Sequence, residues 1–277
     1  MASQWTLIRL GAIVGSLLIL YASVLKMLIY DWIHLDDFSH GFLIPLVSLY
    51  FVYERRKQIA AQSPSGHWVG LGLIISGVVL LLFGKLASEW FTMEVSLLIV
   101  MGGIILYLAG KEMLKILLFP LVFLILMIPI PSLVLQKITF PMQLFASKVA
   151  AASLQGVGIP VLREGNIIQL ANTSLEVAEA CSGIRSLISL LALSIVFAYF
   201  SQNEIWKRVV LVLSTFPIAI IANAARVSGT GALAHYYGES AAQGFFHGFS
   251  GWILFMVAFV CLFGIGLLLS RIKKVNA

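Results

Sequence analysis

Charge is scarce in this chain. Only 11% of its 277 residues are Asp, Glu, Lys or Arg, while 60% are hydrophobic. With a mean hydropathy of +1.01, that balance excludes an ordinary soluble globular protein. Cysteine is scarce too. Cys181 and Cys261 are expected at different membrane depths, so no disulfide is expected between them. No repeat or low-complexity region is present, and no linker separates a second domain. A single integral membrane domain over residues 1–277 is therefore expected. The first apolar run lacks a clear small-residue cleavage site, which argues for a retained helix rather than a signal peptide. His, Asp and Glu do not cluster at metal-ligand spacing; the nearest approach, Asp36, Asp37 and His40, is too small and irregular. Neither metal nor cofactor is expected. The net charge of +6 raises the question of nucleic acid, but its distribution excludes that partner.

What is present is a series of apolar runs approaching the roughly 20 residues that cross a bilayer as a helix. They fall at about Leu7–Leu28, Gly41–Tyr53, Trp68–Leu86, Met93–Ala109, Leu114–Ile128, Cys181–Phe200, Lys207–Arg226 and His247–Ser270. The fold class expected is all-α and polytopic, with about eight transmembrane helices. Ser132–Gln155 is amphipathic and is expected along the membrane surface. Two short alternating stretches, Asn166–Leu170 and Ser174–Val177, predict a small extracytoplasmic β-hairpin ahead of the sixth helix. Eleven of the 18 Lys and Arg residues fit one side of this scheme. They are Arg9, Arg55, Arg56, Lys57, Lys111, Lys115, Lys207, Arg208, Arg271, Lys273 and Lys274. The positive-inside rule then places both termini in the cytoplasm.

Chemistry concentrates around Leu175–Leu193. This stretch is polar before Cys181 and almost uninterruptedly apolar after Arg185. A thiol at the start of a helix meets unpaired N–H groups and the positive dipole end, which favour the thiolate. Arg185, four residues on, adds positive charge to the same face. Three helix lengths then point to one membrane face. From Arg208 to Arg226 the rise is about 27 Å, from Cys181 to Phe200 about 28 Å, and from His247 to Arg271 about 36 Å. Each helix has a cytoplasmic anchor, so Cys181, Arg226 and His247 are expected together at the outer face. Cys261 lies about 21 Å deeper than His247.

The runs EACSGIRS (Glu179–Ser186), NAAR (Asn223–Arg226) and FFHGFSGW (Phe245–Trp252) resemble the three motifs of the exosortase/archaeosortase family. Asp36–Tyr50, Ile128–Gln136 and Gly158–Asn166 are also similar to exosortases. The resemblance covers nearly the whole chain, in the form without an additional C-terminal soluble domain. It implies a cysteine transpeptidase of the bacterial inner membrane. The implied substrates are exported proteins with a C-terminal sorting signal: a short Pro-Glu-Pro-type motif, a membrane helix and a basic tail. The implied acceptor is an unidentified lipid or polysaccharide component, and the resemblance implies an exopolysaccharide-associated enzyme. The family's triad falls by motif on Cys181, Arg226 and His247.

Each candidate has an ordinary alternative. A free cysteine is most often a small buried hydrophobe, and that reading holds for Cys261. Arg226 at a helix end could be an interface anchor, but such anchors cluster on the other side here. Asn223, three residues earlier, is placed to orient its guanidinium. His247 could cap its helix, and His235, expected in the same outer loop, is the reserve. Arg185, Glu179 and Ser182 flank the nucleophile as supporting residues. Asp37 and His40 are candidates for substrate contact or structural hydrogen bonding. Two other functions compete: a transporter, or a cysteine-dependent lipid acyltransferase or thioesterase. Transporters usually set ionisable residues near the midplane. Here the middles of the helices carry Ser, Thr, Gly and apolar residues.

Overall fold

The computed structural model describes residues 4–171, 174–177, 184–238 and 245–272. The chain divides into two compact units, Met1–Pro131 and Ser132–Ala277.

The first unit opens with α1 (Gln4–Leu20) and α2 (Ala22–His34), expected as one helix. They are bent by 68°. Tyr21, between them, leaves helical geometry and turns into the bundle, where it is fully buried and shares a 3.0 Å hydrogen bond with Ser96 Oγ. Asp36–Phe42 forms a 3-10 turn leading to α3 (Leu43–Glu54) and α4 (Arg56–Ala60). Trp32 anchors the end of α2 by donating its indole N–H to the Met127 carbonyl at 2.9 Å.

The tightest packing joins α5 (Val69–Ala87) to α6 (Trp90–Ala109). Gly70, Gly77 and Gly84 recur every seven residues along α5 and are all buried. A Cβ at Gly77 would stand 2.5 Å from Val100 Cγ2, and one at Gly84 would stand 2.6 Å from Met93 Cγ. At Gly70 it would overlap the Tyr107 backbone. Small residues thus let two helix backbones approach without a side chain between them. Ser88 and Glu89 make the turn, and the Glu89 carboxylate caps α6, accepting from the N–H groups of Phe91 (3.1 Å) and Thr92 (2.6 Å). Among the described residues of this unit, Asp31 in α2 and Glu94 in the second turn of α6 are buried acidic side chains. Each lies toward a helix end rather than at mid-span. α7 (Lys111–Phe123) and a 3-10 turn, Leu124–Met127, complete the unit.

The second unit begins with α8 (Ser132–Gly156), a 25-residue helix. Its small residues Ala146, Ala150 and Ala151 are buried, and Ala146, Ala150 and Leu154 form a core with a three-stranded sheet. The antiparallel strands β1 (Val161–Glu164), β2 (Ile167–Leu170) and β3 (Ser174–Glu176) lie in that order. The expected hairpin is β2–β3, with Ile168 paired to Leu175. β1 is additional: only Val161 and Leu162 are apolar and its burial is slight, so no alternation betrays it. Ile168 and Leu170 point into the core. Ser147 in α8 ties down the β1–β2 turn by donating to the Gly165 carbonyl at 2.8 Å.

Among the described residues three further helices follow: α9 (Ile184–Ser201), α10 (Ile205–Tyr237) and α11 (Phe245–Arg271). α10 has 33 residues, about 50 Å at the standard rise. It was expected to end near Arg226, yet it continues for three turns. Val227 and Ala234 are buried in the core that α8 and the sheet provide, which supplies the partner those turns need.

Among the described residues, four helices (α5, α6, α10 and residues 251–271) are long and apolar enough to cross a membrane, or six if each of two bent pairs counts as one. The eight spans expected from the sequence are not confirmed by this count; α3 has only 12 residues.

Candidate functional site

One end of the α9–α10–α11 bundle is pinned by polar contacts. Gln202, just after α9, donates from Nε2 to the Gly266 carbonyl at 2.8 Å. Lys207, at the start of α10, is buried; its ammonium lies 3.1 Å from the Glu204 carboxylate and donates to the Ile272 carbonyl at 2.8 Å. The end of α9, the start of α10 and the end of α11 therefore meet. It follows that the start of α9, the far part of α10 and the start of α11 share the opposite end, as the three helix lengths predict.

At that opposite end the three helices enclose a small cavity, about 20 Å³, which is room for roughly one water. Its lining descends in levels. Ser186, Arg226 and Gly251 contribute one each from α9, α10 and α11; Leu190, Asn223 and Leu254 lie deeper; Ala219 and Ala258 close the floor. The mouth is polar and the floor apolar. Small residues at 219, 222, 251 and 258 permit the close approach. A Cβ on Gly251 would stand 3.4 Å from Arg226 Nη1, so the guanidinium lies against the bare backbone of α11. Asn223 is 5% exposed. Its Oδ1 has no hydrogen-bond partner among the described residues. That leaves an acceptor pointing at whatever enters the cavity, since a buried amide rarely stays unsatisfied.

The expected site residues fall as follows. Arg226 and Asn223 are brought together, within three residues on α10 and on one cavity wall. Arg226 is not at a helix end, because α10 runs on to Tyr237. Arg185 lies in the first turn of α9 and His247 in the first turn of α11, one turn before Gly251. Both side chains are outside what the structure describes. Glu179, Cys181 and Ser182 lie outside the described residues altogether. The last described residue before them, Val177, is buried and held by two contacts with Asn166. His235 was expected in a loop, but belongs to the last turns of α10, half-buried, its ring edge-on to Tyr236 at 4.9 Å. Asp37 and His40 lie in the Asp36–Phe42 turn of the first unit. There, burial lowers the His40 imidazole from its usual value, against the opposing pull of the Asp37 carboxylate.

Ser186 and Gly251 were not singled out from the sequence, although both lie inside the motif runs that were. Cys261, expected as a small buried hydrophobe, is instead a free thiol on an exposed face of α11, whose apolar neighbours there need no buried partner. Among the described residues no group of three or more His, Cys, Asp or Glu is placed to hold a metal ion.

Long apolar helices, with a polar-mouthed cavity where three of them converge, define an integral membrane protein carrying its candidate site among its helices. The chain belongs to the transmembrane exosortase family, whose model (Exosortase_EpsH) matches residues 32–264. That match takes in both units and all the elements lining the cavity. No curated protein and no solved structure matches the chain.

Proposed function

We propose that this protein is a membrane-embedded cysteine transpeptidase acting on C-terminal sorting signals of exported proteins. The observation that carries the reading is the convergence of the three motif-bearing helices on one polar-mouthed cavity, in a chain of the exosortase family. One functional domain spans both units, as the family match does. The Cys181 thiolate attacks the scissile carbonyl. Arg226, held against Gly251, stabilises the developing oxyanion, and Asn223 shares the same cavity wall. His247 protonates the leaving amine as the C–N bond breaks, which leaves a thioester on Cys181. An acceptor nucleophile, lipid or polysaccharide, then attacks the thioester carbonyl and regenerates the thiol; water does so when no acceptor competes. Arg185 and Glu179 support the thiolate end of the site. The substrate's own membrane helix docks laterally, so the enzyme sits in the bacterial inner membrane with its site outward and its termini inward.

The test is cleavage of a co-expressed, tagged protein ending in a Pro-Glu-Pro-type motif, an apolar helix and a basic tail. Loss of cleavage in Cys181→Ala, Arg226→Ala and His247→Ala, with Cys261→Ala active, supports the assignment. Cleavage surviving Cys181→Ala overturns it. Mass spectrometry of the product distinguishes a peptidyl acyl group from a fatty acyl group, and so separates this reading from lipid acyl transfer.

A further inference from the structure

A second feature lies far from that cavity in sequence. Leu46, Leu49, Tyr50 and Tyr53 recur at helical spacing along α3 and are all more than half exposed. With Arg56 they line an open apolar groove of about 640 Å³ that continues onto α4. No charged residue occurs between Leu43 and Tyr53; then Glu54, Arg55, Arg56 and Lys57 follow without a break. Such an abrupt change, marked by tyrosines, is the signature of a helix leaving the hydrocarbon for the headgroup layer.

The cations at this edge are not equivalent. Arg55 turns inward, donating to the Ile116 carbonyl at 3.0 Å and lying 5.3 Å from the Phe119 ring centre. Arg56 is exposed and stacks on Tyr53 at 4.1 Å; it spends one N–H on the Tyr53 carbonyl. A guanidinium has five N–H donors in a fork that matches phosphate oxygens. Stacking on Tyr53 holds that fork against the groove, ahead of Ile59 and Ala60 on α4, and the exposed Lys57 is the next residue in the chain.

We infer that this groove binds an anionic phospholipid, the acyl chain lying along Leu46, Leu49 and Tyr50 and the headgroup phosphate meeting Arg56 and Lys57. The charge chooses the occupant. A sorting-signal helix ends in basic residues, which Arg56 and Lys57 repel. A second copy of the chain would set the same cations against each other. Free phosphate would leave the apolar wall uncovered. An anionic lipid satisfies both parts of the surface.

The inference is independent of the proposed reaction, and its test needs no activity. The full-length protein in detergent is titrated with phosphatidylglycerol or phosphatidylcholine and examined by native mass spectrometry. Wild type is expected to prefer phosphatidylglycerol, with its affinity falling about fivefold per cation removed in Arg56→Ala and in Arg56→Ala/Lys57→Ala. Phosphatidylcholine binding should not change. Equal binding of the two lipids by wild type, or an unchanged preference in the double variant, overturns the assignment. A photo-crosslink from a probe on Leu49→Cys to a second copy, or to a co-expressed sorting-signal helix, also overturns it. These side chains are exposed, so the variants retain the fold.

Discussion

The contact between Arg226 and Gly251 gives a sharp prediction, because two substitutions at one position should move stability and activity separately. Replacing Gly by Ala in a helix favours the helix by up to about 1 kcal/mol. The new Cβ would lie 3.4 Å from Arg226 Nη1, close to ordinary contact. Gly251→Ala should therefore raise the thermal midpoint and cleave within about threefold of wild type, a change worth less than about 0.7 kcal/mol. Gly251→Val extends each branch by about 1.5 Å, and its helical rotamer is fixed. A methyl directed at the guanidinium would displace it by about 1 Å. Misplacement of that size costs on the order of 100-fold in rate, about 2.7 kcal/mol. The assay is initial cleavage rate at subsaturating substrate, with thermal unfolding of the same preparations. Gly251→Val cleaving like wild type would refute the argument that the bare backbone at 251 sets the position of Arg226.

Two further predictions concern the first unit. Gly77→Leu drives a side chain into Val100, where even a Cβ lies at 2.5 Å. It should cost about 1–3 kcal/mol or more in unfolding, whereas Gly72→Leu, with nothing within 4 Å of its Cβ, should be close to neutral; equal losses would sink the idea of a close-packed seam. The second prediction is a pH dependence. Burial holds His40 below its ordinary value of 6.5, so the unfolded chain takes up the proton first. This contribution to stability is complete above about pH 6.5 and is lost as the pH falls toward the lower folded value. The thermal midpoint should drop across that window in wild type and less steeply in His40→Gln; parallel curves would exclude His40 as the cause.

The long apolar runs were legible because length and hydropathy alone specify a helix in a membrane. α5, α6 and α11 fall within a few residues of their expected bounds. What hydropathy could not give was where helices bend or stop. Tyr21 breaks the first run because its hydroxyl has a partner on α6, 75 residues away. α10 outlasts Arg226 because Val227 and Ala234 find a core built by α8 and the sheet. Neither fact is local. α8 itself reads as a surface amphipath, yet its small residues are spaced for packing. At the site, Ser186 and Gly251, near the starts of α9 and α11, line one cavity with Arg226 of α10, while Cys181 lies outside the described residues. Gly251 escaped notice because its contribution is a missing side chain, meaningful only once Arg226 is seen against it. Glu94 was passed over since it sits near a helix start, where a carboxylate is unremarkable until its burial is known.

The glycine seam between α5 and α6 also bears on how the molecule is assembled. The two helices are joined by a two-residue turn, and their whole interface is local in sequence. Closing so small a loop costs little entropy, and local contacts form early in folding. In lipid their attraction comes from backbone proximity and needs no third helix. The pair should therefore form a hairpin soon after insertion, and neighbours such as α2, reached through Tyr21 at its start, would dock on a post already standing.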